Sequence, residues 1–68
     1  MAVSGGVTSA YRCQVRDGRL ETQHAPRLRS ECNTIDEAVP HLERGEVVVI
    51  AGSDMGKLRT KLASYGIG

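Results

Sequence analysis

The sequence predicts a small α+β domain of order ββ(β)αβα, with a mostly antiparallel sheet and two helices packed on one face. Two alternating polar and apolar segments meet at Asp17-Gly18, which is a strong short-range hairpin signal. Two later segments carry the apolar spacing of amphipathic helices. Between them lies the run 47–51, Val-Val-Val-Ile-Ala, which is typical of a buried strand.

The length and composition predict a single domain with a small core. The chain has 68 residues, and its only aromatic side chains are two tyrosines. Its core must therefore consist mainly of aliphatic side chains, and the stability of such a small domain is marginal. Either the packing is efficient, or a second copy or another partner covers part of the apolar surface. We expect a flexible tail over residues 1–9 and the folded domain over 10–66.

The hairpin signal also predicts a register. A two-residue turn at Asp17-Gly18 pairs Arg16 with Arg19 and Tyr11 with His24. One face of the hairpin then carries the apolar positions and their partners, Tyr11, Cys13, Val15, Leu20, Thr22 and His24. The opposite face carries the polar set, Arg12, Gln14, Arg16, Arg19, Glu21 and Gln23. Arg16 and Arg19 repel each other in this register, which mildly indicates an anionic partner.

The middle of the chain predicts a third short strand followed by a helix. Pro26 ends the second strand, and alternation resumes over 27–32. Thr34 and Glu37 then have the spacing of a capping box, in which each side chain bonds to the other residue's amide. The apolar stripe that follows predicts a short helix that ends near Gly45, with a kink or a 3₁₀ turn at Pro40.

The run 47–51 predicts a central strand covered on both faces, and a glycine turn follows it. Gly52 to Lys57 leads into a helix over 55–65, capped by Ser53 or Asp54. A strand, a glycine turn and a helix together form the geometry of many phosphate sites. However, Gly52 and Gly56 are one residue too close for a P-loop, and a leucine follows the lysine, which argues against ordinary nucleotide hydrolysis.

The segment 37–50 resembles the helix, Gly-Glu and strand step of small sulfur-carrier proteins of the TusA type. The likeness rests on Glu37-Ala38, on 42–46 and on the strand that follows, about a quarter of the chain. It implies a helix followed by a strand. These carriers place a Cys-Pro-x-Pro motif at the start of the helix, whereas here Cys32 is followed by Asn33-Thr34. The resemblance therefore implies no sulfur-transfer role.

Potential catalytic and metal-binding residues are few and widely spaced. The four soft ligands are Cys13, His24, Cys32 and His41, and their spacing matches no zinc knuckle. Two cysteines without an export signal indicate reduced thiols and a cytoplasmic location. We therefore predict a protein that is not an enzyme and that uses no metal and no cofactor.

Arginines in the first half of the chain are the remaining functional candidates. The net charge is only +1, which argues against a strongly basic nucleic-acid binder. Five arginines nevertheless precede residue 33, and no lysine does: Arg12, Arg16, Arg19, Arg27 and Arg29. We predict a small regulatory or adaptor protein that binds a larger macromolecule through these side chains, and we favour another protein as that partner. By analogy with small phage or bacterial regulators, the transcription machinery is one such target, and direct nucleic-acid binding is the alternative.

Overall fold

The computed structural model describes residues 6–68. Three strands, β1 (Ala10–Arg16), β2 (Arg19–His24) and β3 (Val48–Ala51), form one antiparallel sheet. Two helices, α1 (Ile35–Glu43) and α2 (Met55–Ala63), pack with it. The predicted α+β class, the antiparallel sheet and the two helices are confirmed.

The predicted hairpin is confirmed in its full register. Arg16 lies opposite Arg19, and Tyr11 lies opposite His24. Asp17 and Gly18 have φ values of 53° and 74°. Two consecutive positive φ values define the type I′ turn, whose twist matches that of the flanking strands. The Asp-Gly pair therefore determines which side chains of β1 and β2 share a face.

The strand order corrects the prediction that the run 47–51 is central and covered on both faces. The order is β2-β1-β3, so β1 is the central strand and β3 lies at an edge. Val47 is 42% exposed, and Val49 is only partly buried. Both partners of β1 are antiparallel to it, and both helices lie against the same face. The valines at 47 and 49 are therefore left on the outer face.

The third strand that was predicted over 27–32 does not form. Arg29–Glu31 is a short 3₁₀ turn instead, and only Arg27 makes a bridge, to Thr8. The Glu31 carboxylate accepts the Leu28 N–H at 3.3 Å, and the Glu31 N–H donates to the Leu28 carbonyl at 2.9 Å. These local bonds satisfy the backbone that a strand would have paired.

Local caps explain where the two helices begin. The Thr34 hydroxyl accepts the Glu37 N–H at 3.2 Å, as predicted, but the Glu37 carboxylate accepts from Asn33 and not from the Thr34 amide. α1 continues from Ile35 to Glu43 with Pro40 inside it. At α2 the prediction of a side-chain cap by Ser53 or Asp54 is wrong, because the 3₁₀ turn Gly52–Asp54 leads directly into the helix.

The core lies between the sheet and the two helices. The largest fully buried side chains come from both layers: Leu42, Ile50, Leu58, Leu62 and Cys13. Tyr11, Val15 and Leu20 pack against this cluster from the same face of the sheet. The alternation of β1 therefore sends its apolar side chains to the helices and its polar side chains to the opposite, outer face.

The predicted tail over 1–9 lies partly outside the described residues, because the description begins at residue 6. Thr8 exchanges two backbone hydrogen bonds with Arg27, at 2.9 and 3.3 Å. The Ser9 carbonyl accepts the Gly52 N–H at 2.7 Å. These bonds extend the paired region of the chain by two residues before β1.

Candidate partner-binding surface

The outer face of the sheet gathers three of the five predicted arginines. We call Arg12, Arg16 and Arg19 the arginine face, and all three side chains are exposed. Arg12 lies opposite Gln23 on one side and opposite Val49 on the other. Arg16 lies opposite Arg19 at the hairpin turn. No helix among residues 6–68 covers this face, because α1 and α2 both contribute to the core on the opposite side.

One acidic side chain moderates the charge of the arginine face. The Arg16 guanidinium lies 3.6 Å from the Glu21 carboxylate, diagonally across the hairpin. Both side chains are well exposed, so the pair contributes little to folding stability, at most about 1 kcal/mol. The pair offsets part of the repulsion between Arg16 and Arg19 that the register predicted. Three cations against one anion still leave the surface positive.

The arginine face also contains a shallow depression. Its volume is about 330 Å³, and its lining includes Arg12, Gln14, Arg16 and Val47. Gln14 donates from Nε2 to the Gly45 carbonyl at 3.0 Å, which ties the face to the end of α1. Exposed valine next to guanidinium groups combines apolar and charged contacts, as the contact surfaces of protein partners do.

The other two predicted arginines follow β2 in the chain and make contacts of their own. The Arg27 guanidinium donates to the Pro26 carbonyl at 3.0 Å. Arg29 contacts the turn before α2, with Nη1 3.3 Å from the Ser53 hydroxyl and Nη2 3.8 Å from the Asp54 carboxylate. Arg29 therefore ties a loop to a helix and is not part of the arginine face.

A second groove, which the sequence did not predict, separates the loop before α1 from α2. It has a volume of about 580 Å³, and its lining includes Arg29, Cys32, Asp36 and Lys61. Its charges largely pair with each other, as in the contact of 3.5 Å between Lys61 and Asp36. No single signal could have revealed it, because its residues come from segments that are distant in the sequence.

The four soft ligands are dispersed. The Cys13 thiol is buried 3.8 Å from the Met55 sulfur, and the His24 ring stacks at a tilt on Tyr11 with centroids 5.4 Å apart. At the end of α1, His41 Nδ1 lies 2.6 Å from Oε1 of the Glu46 carboxylate. Within residues 6–68, no group of three or more His, Cys, Asp or Glu side chains is placed to hold a metal ion.

Two side chains at the end of α1, Arg44 and His41, hold Glu46 in its charged form. Hydrogen bonds from Arg44, at 2.8 Å, and from His41 lower the pKa of Glu46 to about 2. About half of the Glu46 side chain is exposed, and its two bonds position the loop between α1 and β3.

The Gly52 turn has a structural role. Its N–H donates to Ser9, so this amide is already occupied. A Cβ atom at Gly52 would lie 3.1 Å from the Ser9 carbonyl oxygen and 3.6 Å from the Tyr11 ring. Glycine is therefore needed here because two backbones approach closely, not because an anion must be wrapped.

The two thiols are expected to differ sharply in reactivity. Burial raises the pKa of Cys13 to about 11, although Arg59 acts against it, while Cys32 is partly exposed. We expect the folded chain to react with a thiol reagent near pH 8 at Cys32 alone, because the buried group is neither accessible nor ionised. A reagent count of one thiol when native and two when denatured checks this. Equal labelling rates at Cys13 and Cys32 would contradict it, and Cys32→Ser is the control that removes the fast reaction.

Comparison with protein families, curated proteins and solved structures gives no match for this chain. In addition, none of the helices formed by residues 6–68 has the length and apolar character needed to cross a bilayer.

Proposed function

We propose that this chain is a small, non-enzymatic regulatory or adaptor protein that binds an acidic surface of a larger protein through the arginine face. The observation that carries this proposal is that α1 and α2 pack on the same face of the sheet. The opposite face, which no element of residues 6–68 covers, presents three guanidinium groups within one hairpin. Planar guanidinium groups suit bidentate contact with carboxylates, which favours an acidic partner.

Two features favour a protein over nucleic acid as the partner. Single-strand binders place aromatic rings among their cations for base stacking, whereas Tyr11 packs against the core on the opposite face. The chain as a whole carries a net charge of only +1, and Glu21 lies within the face. A phosphate backbone requires a more uniformly positive surface. The transcription machinery stays a prediction by analogy alone.

The test compares two variants, each of which lacks three positive charges, on the arginine face in one and on α2 in the other. Arg12, Arg16 and Arg19 are all replaced by Ser, and the matched control replaces Lys57, Arg59 and Lys61 on α2 by Gln. The tagged wild-type chain is used to isolate and identify a partner from the source cell, and calorimetry with that purified partner then compares the variants. We expect the arginine variant to lose affinity by about 10- to 100-fold, corresponding to about 1.4–2.8 kcal/mol, and the control to lose much less.

Two outcomes would contradict the proposal. One is equal affinity of the partner for the wild-type chain and the arginine variant. The other is nucleic acid as the co-purified partner, with an affinity that falls steeply with salt, because counterion release produces that slope. Circular dichroism of both variants checks that folding is unchanged.

A further inference from the structure

The outer edge of β2 can be read from the hydrogen-bond pattern of the hairpin. The Ala25 N–H donates to the Ala10 carbonyl at 2.9 Å, which continues the register of β1 and β2. In an antiparallel pair, every second residue exchanges its backbone bonds with the neighbouring strand. The odd-numbered residues of β2 therefore bond to β1. The outward-pointing backbone groups belong to Leu20, Thr22 and His24.

Other parts of the sheet edge are closed by local contacts. On β3, the Asn33 N–H donates to the Val49 carbonyl at 2.7 Å, and the Val49 N–H donates to Asn33 Oδ1 at 3.0 Å. At the turn end of β2, the Leu20 N–H donates to the Gly68 carbonyl at 2.8 Å, and the Gly68 N–H donates to the Gly18 carbonyl at 3.1 Å. Gly68 thus occupies the position that a residue of an added strand would take.

The stretch from Thr22 to His24 has no such closure. Within residues 6–68, the outward backbone groups of Thr22 and His24 have no intramolecular partner. Natural proteins protect open edges with lysine, proline or a bulge, and the sequence Thr22-Gln23-His24 has none of these. An extended strand can therefore add here.

We propose that the occupant is a second copy of this chain, with β2 paired antiparallel to β2 and the two-fold axis at Gln23. Thr22 then lies opposite His24 of the second copy, and each such pair exchanges two backbone hydrogen bonds. Gln23 lies opposite Gln23 of the second copy. A primary amide has both donors and an acceptor, so the two side chains can bond to each other. Between Leu20 and Pro26 no like charges lie opposite each other, so this part of the edge is complementary to itself.

The position of Gly68 rules out the neighbouring register, with the axis at Thr22. A two-fold axis at Thr22 would place His24 opposite Leu20, whose N–H is already bonded to Gly68. With the axis at Gln23, Pro26 lies opposite Leu20 instead. Proline has no N–H and disfavours further pairing, so the ladder ends there and Gly68 keeps its bonds.

Pairing in this register would join the outer faces of the two sheets. Arg12 lies beside Gln23 in each copy, so the order across the interface is Arg12, Gln23, Gln23 and Arg12. Three strand spacings put the two Arg12 backbones about 14 Å apart. The arginine face is then doubled on one continuous surface. The dimer does not rest on the proposed function, because the mass of the purified chain in solution tests it without any other partner.

The experiment measures mass and amide exchange over a range of concentrations. Light scattering after size exclusion follows the full chain from about 10 µM to about 1 mM, a range that brackets weak association. Thr22→Pro removes the outward N–H without breaking the bonds to β1, and Thr22→Val is the matched control that keeps it. Gln23→Glu places two carboxylates opposite each other and leaves the monomer fold unaffected.

We expect the wild-type chain and Thr22→Val to move from 7.3 kDa toward twice that mass as concentration rises. Exchange at the Thr22 and His24 amides should slow several-fold over the same range. Thr22→Pro and Gln23→Glu should both stay at the monomer mass, with the Glu21 amide still protected as a check on the hairpin.

Three results would overturn the dimer. The first is a wild-type monomer at every concentration, with fast exchange at Thr22. The second is a dimer that both variants leave intact, which would place the interface elsewhere. The third is protection of the Thr22 amide that does not depend on concentration, which would mean that a segment of the same chain occupies the edge.

Discussion

Leu58→Ala is expected to lower the free energy of unfolding by about 2–5 kcal/mol. Leu58 is fully buried in α2, within the cluster that joins both helices to the sheet. Total stability at this size is about 3–10 kcal/mol, so the substitution removes a large part of it. The reason is the small number of large core side chains, since the chain has neither Phe nor Trp to share the loss.

Urea denaturation followed by far-ultraviolet circular dichroism measures this effect. Lys57→Ala is the matched control, because it changes the exposed neighbour in the same helix and should alter stability by no more than about 0.5 kcal/mol. A loss below about 1 kcal/mol for Leu58→Ala would mean that α2 does not pack on the sheet as described.

Gly52→Ala and Gly56→Ala are expected to change stability in opposite directions. At Gly52, an added Cβ would lie 3.1 Å from the Ser9 carbonyl oxygen, in backbone that also accepts the Gly52 N–H. Relieving that contact should cost about 1–3 kcal/mol. At Gly56, inside α2, an added Cβ meets nothing within 4 Å. Alanine there should stabilise the helix by about 0.5–1 kcal/mol.

Thermal or urea unfolding of the two variants side by side checks this pair of predictions. The comparison is sharp because the substitution is the same and the two positions are only a few residues apart. If Gly52→Ala were neutral, the close approach between the turn and Ser9 would not exist in solution. A destabilising Gly56→Ala would mean that this residue, in the first turn of α2, is not helical in solution.

Features that depend on neighbouring residues could be predicted from the sequence. The hairpin register follows from Asp17-Gly18, because a two-residue turn permits only one pairing of the flanking residues. The start of α1 follows from Thr34, whose hydroxyl binds the Glu37 N–H. The end of β2 follows from Pro26, and each of these features depends on bonds that span only a few positions.

Features that depend on competition between bonds were harder to predict. Alternation over 27–32 is typical of a strand, yet Glu31 satisfies the Leu28 amide locally, and the segment turns. Asp54 has the chemistry of a helix cap, yet its carboxylate lies near Arg29, and a 3₁₀ turn starts the helix. In both cases the same polar group had two available partners, and only the packed chain selects one.

The candidate surface was partly predictable for the same reason. Alternation along the hairpin places Arg12, Arg16 and Arg19 on one face, and the structure keeps them there. Arg29 also follows the hairpin closely in sequence, but its guanidinium contacts the turn before α2 instead. Proximity in sequence predicts a shared surface only while the periodicity of one element continues.

By itself the sequence determined the secondary-structure order, the hairpin and the division of its side chains between two faces, because turn chemistry and periodicity act locally. Only the tertiary structure decided that β3 pairs at the edge of β1 and that both helices pack on one side. Those outcomes depend on contacts between distant segments, such as the closure of β3 by Asn33. Within residues 6–68 they leave the arginine face and the Thr22 to His24 edge of β2 open, because both helices of this part of the chain lie on the other side of the sheet.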